Sequence, residues 1–96
     1  MPVRVTVLLP GVLREYADGQ HEVPVDLRDG ELVDAVLREL GQRWPLLGAR
    51  LRDETGALRR HVNLFVDGAD VRASDGVQTR LYEQSVVHVL PSVAGG

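Results

Sequence analysis

Residues 86–96 read VVHVLPSVAGG, and they combine a β-strand pattern with a short tail that has no charged side chain. Val87 and Val89 alternate with the residues between them at a period of two, which predicts a half-buried final strand over 86–90. Pro91 has no N–H to donate to a neighbouring strand, so it marks the position at which the chain leaves the sheet. The sequence therefore predicts a final strand that is followed by an extended tail.

Three segments upstream show the same alternation of apolar and other residues. They predict strands over residues 3–9, 21–27 and 61–66. The Asp-Gly pair at 67–68 predicts a tight hairpin turn after the third of them, because both central positions of such a turn favour positive φ. We expect this turn to lead into a short strand around Val71.

Between the second and third strands, the hydrophobic period changes from two to that of a helix. Apolar residues recur at helical spacing over residues 31–43, which predicts one amphipathic helix. Asp29 and Gly30 break the strand pattern and are the two candidates to cap this helix, and Pro45 forbids its continuation beyond Trp44. We expect Trp44 to pack under the helix end, and residues 46–58 to be irregular apart from a short helical turn.

The predicted order of elements is strand, strand, helix, strand, short strand and strand. One amphipathic helix in this order covers one face of the sheet. This predicts an α+β fold of the β-grasp (ubiquitin-like) type, with a mixed sheet of about five strands and one main helix. The first and last strands are expected to be parallel neighbours at the centre of the sheet, which a crossover through a helix permits. We predict that residues 1–90 form the β-grasp domain and that residues 91–96 form a flexible C-terminal tail.

The composition argues against several classes of protein. The chain has 96 residues, enough for one domain, and it has no cysteine for disulfides, thiolate metal sites or a cysteine nucleophile. Its eleven basic residues are all arginine, but the net charge is −3 and only 4% of residues are aromatic, which argues against a nucleic-acid partner. No apolar run is long enough to cross a membrane, and the first residues lack the apolar core of a secretory signal. We expect a cytoplasmic protein with no membrane partner.

The side chains that most often carry catalysis are scattered along the chain. His21, His61 and His88 match no paired metal-ligand spacing, so we expect them to be strand residues and predict no metal site. The serines lie in turns or in the tail, and none lies in a nucleophile elbow. There is no glycine-rich phosphate loop, so any ATP must be bound by a partner. The sequence therefore predicts no catalytic residue.

The tail is the strongest functional feature of the sequence. When extended, residues 91–96 reach about 20 Å from the domain. Uncharged side chains enter a narrow protein channel without the cost of dehydrating a charge. Gly95 and Gly96 have no Cβ, so the backbone passes a constriction and presents the terminal carboxylate. These properties suit an enzyme that brings a protein carboxylate against the α-phosphate of ATP, and the alternative is an ordinary frayed terminus.

The end of the chain, VHVLPSVAGG, resembles that of the MoaD/ThiS family of sulfur carriers, in which a strand ending in proline precedes a short tail and Gly-Gly. Residues 62–66, which read VNLFV, and residues 70–72, which read DVR, are similar to the third-strand region of that family. The similarity is strongest to carriers of the CysO type, which serve cysteine biosynthesis, and extends over nearly the whole chain. One turn departs from the family pattern. Residues 82–85 read YEQS where the family usually has an Asp-Gly-Asp-like turn, which leaves the geometry of this turn open.

The resemblance implies that the chain is a protein co-substrate and not an enzyme. A MoeB/ThiF-type adenylyltransferase would use Mg-ATP to adenylate the Gly96 carboxylate, and a rhodanese or desulfurase-type donor would supply sulfur for a thiocarboxylate. A sulfur-accepting synthase would then receive that sulfur. Val93, Ala94 and Gly95 would be recognised with the tail, and the chain itself would bind no cofactor.

The activating partner must also recognise the folded domain. Leu8 and Phe65 have the opposite parity to the core residues of their strands, and Val86 and Leu90 oppose the core valines of the last strand. Together these four residues form an outward apolar face, which indicates an interface with the partner. The alternative is that residues 44–60 cover part of this face.

Two other functions stay open at the level of the sequence. The tail could be joined through Gly96 to target lysines, as in a ubiquitin-like modifier, because adenylation precedes both routes. The chain could also be a β-grasp binding module with an incidental Gly-Gly, and deletion of Gly96 separates that function from the other two. The sulfur acceptor is open as well, because cysteine, molybdopterin, thiazole and thiosugar biosynthesis would use the same carrier chemistry.

Overall fold

The computed structural model describes residues 2–91, which form one mixed five-stranded sheet packed against helices. The strands are β1 (Pro2–Leu8), β2 (Glu22–Arg28), β3 (Val62–Val66), β4 (Ala69–Asp70) and β5 (Val86–Pro91). Three helices lie within this range: α1 (Gly11–Arg14), α2 (Val33–Arg43) and α3 (Pro45–Leu51). Short 3₁₀ turns occupy Glu15–Ala17, Val71–Ala73 and Gly76–Gln78.

The strands lie in the order β2-β1-β5-β3-β4, so the last strand is at the centre of the sheet. Strands β1 and β5 are parallel neighbours, whereas β1–β2, β5–β3 and β3–β4 are antiparallel. The β-grasp prediction is confirmed, including the parallel pairing of the first and last strands. Strand β5 pairs with β1 as far as His88 and with β3 as far as Pro91, so the tail begins at the end of a central strand.

The hydrophobic core lies between one face of the sheet and the helices. Alternate strand residues such as Val5 and Val87 are fully buried, and so is Leu40 of α2. Helix α3 adds Leu47 and Leu51 to the same core. Burial of each such side chain is worth about 1.5–3 kcal/mol, so this layer fixes which face of every strand points outward.

The start of α2 differs from the prediction. The Asp-Gly pair at 29–30 does not cap the helix, which begins at Val33 without a side-chain cap. Instead, the Val33 N–H donates to the Thr79 carbonyl at 2.9 Å, so a distant segment satisfies one of the free donors at the helix start. The Glu31 carboxylate accepts from the Arg28 N–H at 2.8 Å and closes the turn between β2 and α2.

The segment after α2 is more regular than expected, because residues 45–51 form a complete short helix. Helices α2 and α3 cross at two glycines, and a Cβ placed on Gly48 would lie only 2.7 Å from the Cα of Gly41. Trp44 connects the two helices and packs against the core at the end of α2, with its indole N–H donating to the Asp18 carboxylate at 2.9 Å. Residues 45–51 are therefore helical and in close backbone contact with α2, and the prediction of an irregular segment was wrong for them.

The hairpin between β3 and β4 confirms the predicted turn and corrects the position of the short strand. Asp67 and Gly68 have φ angles of +51° and +92°, as the turn prediction requires. Strand β4 ends at Asp70, and Val71 already belongs to a 3₁₀ turn. The reason is that the Asp70 carboxylate accepts from the Arg72 N–H at 2.9 Å, which caps the turn and ends the strand.

Candidate functional site

The outward face of the sheet brings together residues from its three central strands. His88 of β5 lies opposite Leu8 of β1 on one side and opposite Phe65 of β3 on the other. Val86 and Leu90 precede and follow His88 on the same face, because strand residues two apart share a face. The four predicted interface residues therefore surround one imidazole, whose central position sequence parity alone did not reveal.

These four apolar side chains are outside the core, but they are only partly exposed. Val86 is 36% exposed, and Leu8, Phe65 and Leu90 are half-buried. Leu47 and Leu51 of α3 join the core on the opposite face of the sheet, but Arg50 of the same helix lines a cleft that Leu90 also lines. Residues 44–60 therefore approach this face at Leu90, and neighbouring strands also contribute to the packing of the apolar patch.

The same face becomes charged towards the start of β1. The Arg4 guanidinium donates from Nε and Nη2 to both carboxylate oxygens of Asp26 on β2, at 2.7 and 3.0 Å. This hydrogen bonding, together with the positive charge of Arg4, lowers the pKa of the Asp26 carboxyl, although both groups are exposed. The outward face therefore has a charged half at Arg4 and an apolar half that extends along β5 towards Pro91.

The turn before β5 retains a tight geometry despite its departure from the family sequence. The Ser85 N–H donates to the Tyr82 carbonyl at 3.0 Å, and Gln84 has a left-handed φ of +67°, a conformation that favours glycine. The Ser85 hydroxyl accepts from the Tyr82 N–H and donates to the Asp67 carboxylate, both at 3.0 Å. The second Asp67 oxygen accepts from the Val86 N–H at 2.8 Å, so this turn ties the start of β5 to the β3–β4 hairpin.

The tail residues predicted to be functional, Val93, Ala94, Gly95 and Gly96, lie outside the described residues. The structure does locate their origin. Pro91 is exposed and pairs with Val62 at the end of β5, beside the apolar half of the outward face. The tail and the predicted interface therefore begin at the same end of the molecule.

A cleft of about 200 Å³ opens beside Pro91, and we call it the exit cleft. Its lining includes Val12, Leu13, Tyr16, Arg50, Leu90 and Pro91. One wall is formed by residues 11–17, which form α1 and a 3₁₀ turn, although the sequence analysis predicted no helix between the first two strands. The spacing of Leu13, Tyr16 and Ala17, at i, i+3 and i+4, is the signal that would have indicated this helical segment.

Residues 2–91 contain neither a metal-binding cluster nor a membrane-spanning helix. No group of three or more histidine, aspartate or glutamate side chains in this range is placed to hold a metal ion. None of the helices formed by these residues has the length and apolar character needed to span a membrane.

Comparison with known proteins places the chain in a family. The model of the ThiS family matches residues 7–96. The chain is 36% identical over 96 residues to the sulfur carrier protein CysO of Mycobacterium tuberculosis, a match that covers 98% of this chain and all of CysO. It is also 36% identical over 78 residues to the small archaeal modifier protein 3 of Haloferax volcanii, covering 81% of this chain and 84% of that protein.

The fold gives the same result among solved structures. A chain in the crystal structure of the Amycolatopsis orientalis BexX/CysO complex superimposes with a TM-score of 0.81 at 33% sequence identity. This match covers 96% of the present chain and 99% of that one. The sequence and structural matches both extend over nearly the full length, and the chain therefore belongs to the ThiS/MoaD family of β-grasp sulfur carrier proteins.

Proposed function

We propose that this chain carries sulfur as a thiocarboxylate on its C-terminal residue, Gly96. The observation that supports this most strongly is the combination of full-length family membership with a Gly-Gly tail directly after the central strand. Pro91 ends a strand that pairs with β1 up to His88 and with β3 up to Pro91 itself, so the tail starts from an ordered strand of the sheet. The chain then acts as a carrier and a co-substrate, not as an enzyme.

The proposed chemistry takes place in partner active sites. A MoeB/ThiF-type adenylyltransferase binds Mg-ATP, and a carboxylate oxygen of Gly96 attacks the α-phosphorus with release of pyrophosphate. The acyl-adenylate is a mixed anhydride, so a sulfur nucleophile attacks its carbonyl carbon and AMP leaves. With sulfide as the nucleophile, the product is a thiocarboxylate, and a rhodanese or desulfurase-type protein is the proposed physiological sulfur source. A sulfur-accepting synthase then takes the sulfur from Gly96.

The apolar half of the outward face is the proposed docking surface for the adenylyltransferase. Leu90 directly precedes Pro91, Leu8 and Phe65 lie opposite His88, and Val86 begins the same strand, so a partner that binds along this face also reaches the point from which the tail departs. Complete burial of a partly exposed side chain such as Phe65 supplies binding energy without burying an unpaired charge. The solved complex of BexX with CysO supports the general idea that a carrier of this fold binds a second protein.

A second function is supported by one specific observation, the similarity to a small archaeal modifier protein. In that case the Gly96 acyl group would be transferred to a lysine of a target protein. Both functions require adenylation of Gly96, and they differ in the product, a thiocarboxylate or an isopeptide bond. In the first case, the sulfur acceptor belongs to one of four pathways, the biosynthesis of cysteine, molybdopterin, thiazole or a thiosugar.

Adenylation is tested by ATP–pyrophosphate exchange with a purified adenylyltransferase from the same organism. We expect exchange with the full chain and loss of exchange when Gly96 is deleted. Retention of exchange without Gly96 would show that another group is activated, and it would overturn the proposal. A shortened tail does not alter the folded domain, so circular dichroism of both proteins provides the control.

A further inference from the structure

The exit cleft exists because β5 extends three residues beyond the end of its parallel neighbour β1, from His88 to Pro91. The pairing of β1 with β5 ends at Leu8 and His88, whereas β5 continues to Pro91 with only β3 beside it. Beyond Leu8, the chain turns away into α1, whose following 3₁₀ turn packs near α3. The space next to the last residues of β5 is therefore bounded by helical segments and is not filled by a strand.

The lining of the exit cleft is apolar, with one cation at its rim. Val12, Leu13 and Leu90 present aliphatic side chains, and the Arg50 guanidinium lies 4.7 Å from the centre of the Tyr16 ring. Within the described part of the chain, Arg50 forms no ion pair, whereas five other arginines do. The cleft is therefore suited to a short apolar segment that ends in a carboxylate.

The chain itself contains such a segment, and it starts at the cleft. Residues 92–96 read SVAGG and follow directly after Pro91, which is part of the cleft lining. Five residues span up to about 17 Å when extended, which is enough to cross a cleft of this volume and to return towards its rim. The segment has apolar side chains at Val93 and Ala94 and a negative charge only at its terminal carboxylate.

We propose that the exit cleft is a docking site for the chain's own C-terminal tail. Val93 and Ala94 lie against the aliphatic lining, and the Gly96 carboxylate lies beside the Arg50 guanidinium. In this docked state, the carboxylate is removed from the solvent and from any partner active site. The tail must leave the cleft before it enters an adenylyltransferase, and this consequence rests on the proposed function, whereas the docking does not.

The covalent connection makes a weak contact sufficient. A segment tethered through a few residues experiences an effective concentration in the millimolar range, so a contact with millimolar affinity is populated in about half of the molecules. An exposed ion pair adds little to the free energy of docking, and the aliphatic contacts contribute most of that free energy. The docked state is therefore readily displaced by a partner that binds the tail more tightly.

The test is solution NMR of the full-length, isotope-labelled protein, which requires no partner enzyme. We expect nuclear Overhauser contacts between the Val93 methyl groups and the side chains of Leu13 and Tyr16. The variant Arg50→Gln should shift the amide resonances of the terminal glycines towards random-coil values. Arg60→Gln is the matched control, because Arg60 is equally an exposed arginine but does not line the cleft.

The outcomes separate docking from its alternatives. Absence of tail-to-cleft contacts, with identical tail resonances in the two variants, would overturn the proposal. Contacts that disappear on dilution would also overturn it, because they would come from the tail of a second copy. Since the experiment contains no ATP and no adenylyltransferase, failure of docking leaves the proposed sulfur chemistry intact, and failure of the chemistry leaves docking intact.

Discussion

Replacement of Gly48 by alanine should destabilise this protein, although alanine is the better helix-forming residue. A Cβ at Gly48 would lie 2.7 Å from the Cα of Gly41, closer than unstrained carbon atoms approach, and the atom in the way is backbone and not a movable side chain. Helix α3 must therefore move away from α2 or tilt. Gly41→Ala is the matched control, because its Cβ would lie 3.7 Å from the Cα of Gly48, an ordinary contact distance.

Gly48→Ala changes the unfolding free energy in two opposite directions, through overpacking and through helix propensity. Overpacking of this kind typically costs about 1–3 kcal/mol, whereas the exchange of a helical glycine for alanine gains about 0.5–1 kcal/mol. We expect Gly48→Ala to lose about 0.5–2 kcal/mol of unfolding free energy and Gly41→Ala to be neutral or to gain up to about 1 kcal/mol. In a domain of this size, the two variants should differ by several degrees in Tm, since 1 kcal/mol corresponds to about 4–8 °C.

Urea unfolding followed by far-ultraviolet circular dichroism measures both variants and the parent under one set of conditions. Equal m-values are required, because they show that the same transition is compared. If Gly48→Ala is as stable as Gly41→Ala, the two helices do not meet at these glycines, and the account of the α2–α3 crossing is wrong.

Three other predictions concern the turn, the charged half and the apolar half of the sheet. Gln84→Gly should raise the unfolding free energy by up to about 1 kcal/mol in urea unfolding, because the residue has a left-handed φ, and a loss of stability would contradict this. Asp26→Asn should flatten the decline of stability at acidic pH. The pKa of Asp26 is lower in the folded state, so its stabilisation is complete above its unfolded pKa of about 3.9 and is lost as the pH falls through the folded value; parallel pH profiles would refute it. Phe65→Glu should reduce kcat/KM for adenylation at least about tenfold, a typical cost of charging a binding surface. Leu46→Glu, a change at a 69% exposed leucine of α3, should not reduce it, and equal rates for these two folded variants would exclude the apolar half as the docking surface.

Much of the fold follows from local patterns in the sequence. Period-two alternation defined the long strands, and the Asp-Gly pair at 67–68 defined the hairpin, because turn conformation depends mainly on the residues within the turn. The parallel pairing of β1 and β5 followed from the element order, since few topologies allow one helix to cover such a sheet. These features depend on residues that are close in sequence or on general rules of chain connection.

The features that were missed depend on contacts between distant residues. The start of α2 is satisfied by the Thr79 carbonyl, 46 positions away from Val33, which no local capping pattern indicates. Helix α3 has close contact with α2 at Gly48, although an interior glycine in so short a segment argues against a helix when the segment is considered alone. Tertiary packing therefore overrides the local preference in both cases.

Some features of the candidate site could also be predicted from the sequence, and others required contacts between distant residues. Strand parity was enough to identify the four outward-facing apolar residues, Leu8, Phe65, Val86 and Leu90. The central position of His88 among them could be seen only from the register between three strands. Prediction of the exit cleft required knowing that β5 extends past the end of β1 and that residues 11–17 are helical. The chemistry of Gly96 depends on residues outside the described part of the chain and stays a prediction from sequence and family.

Thiocarboxylate formation is measured directly by the intact mass of the protein after incubation with Mg-ATP, the adenylyltransferase and sulfide. We expect a mass increase equal to the replacement of one oxygen atom by sulfur, located at Gly96 and absent from the variant in which Gly96 is deleted. An unchanged mass in the presence of demonstrable adenylation, together with covalent adducts of the chain on lysines of other proteins, would contradict the carrier function and establish the modifier in its place.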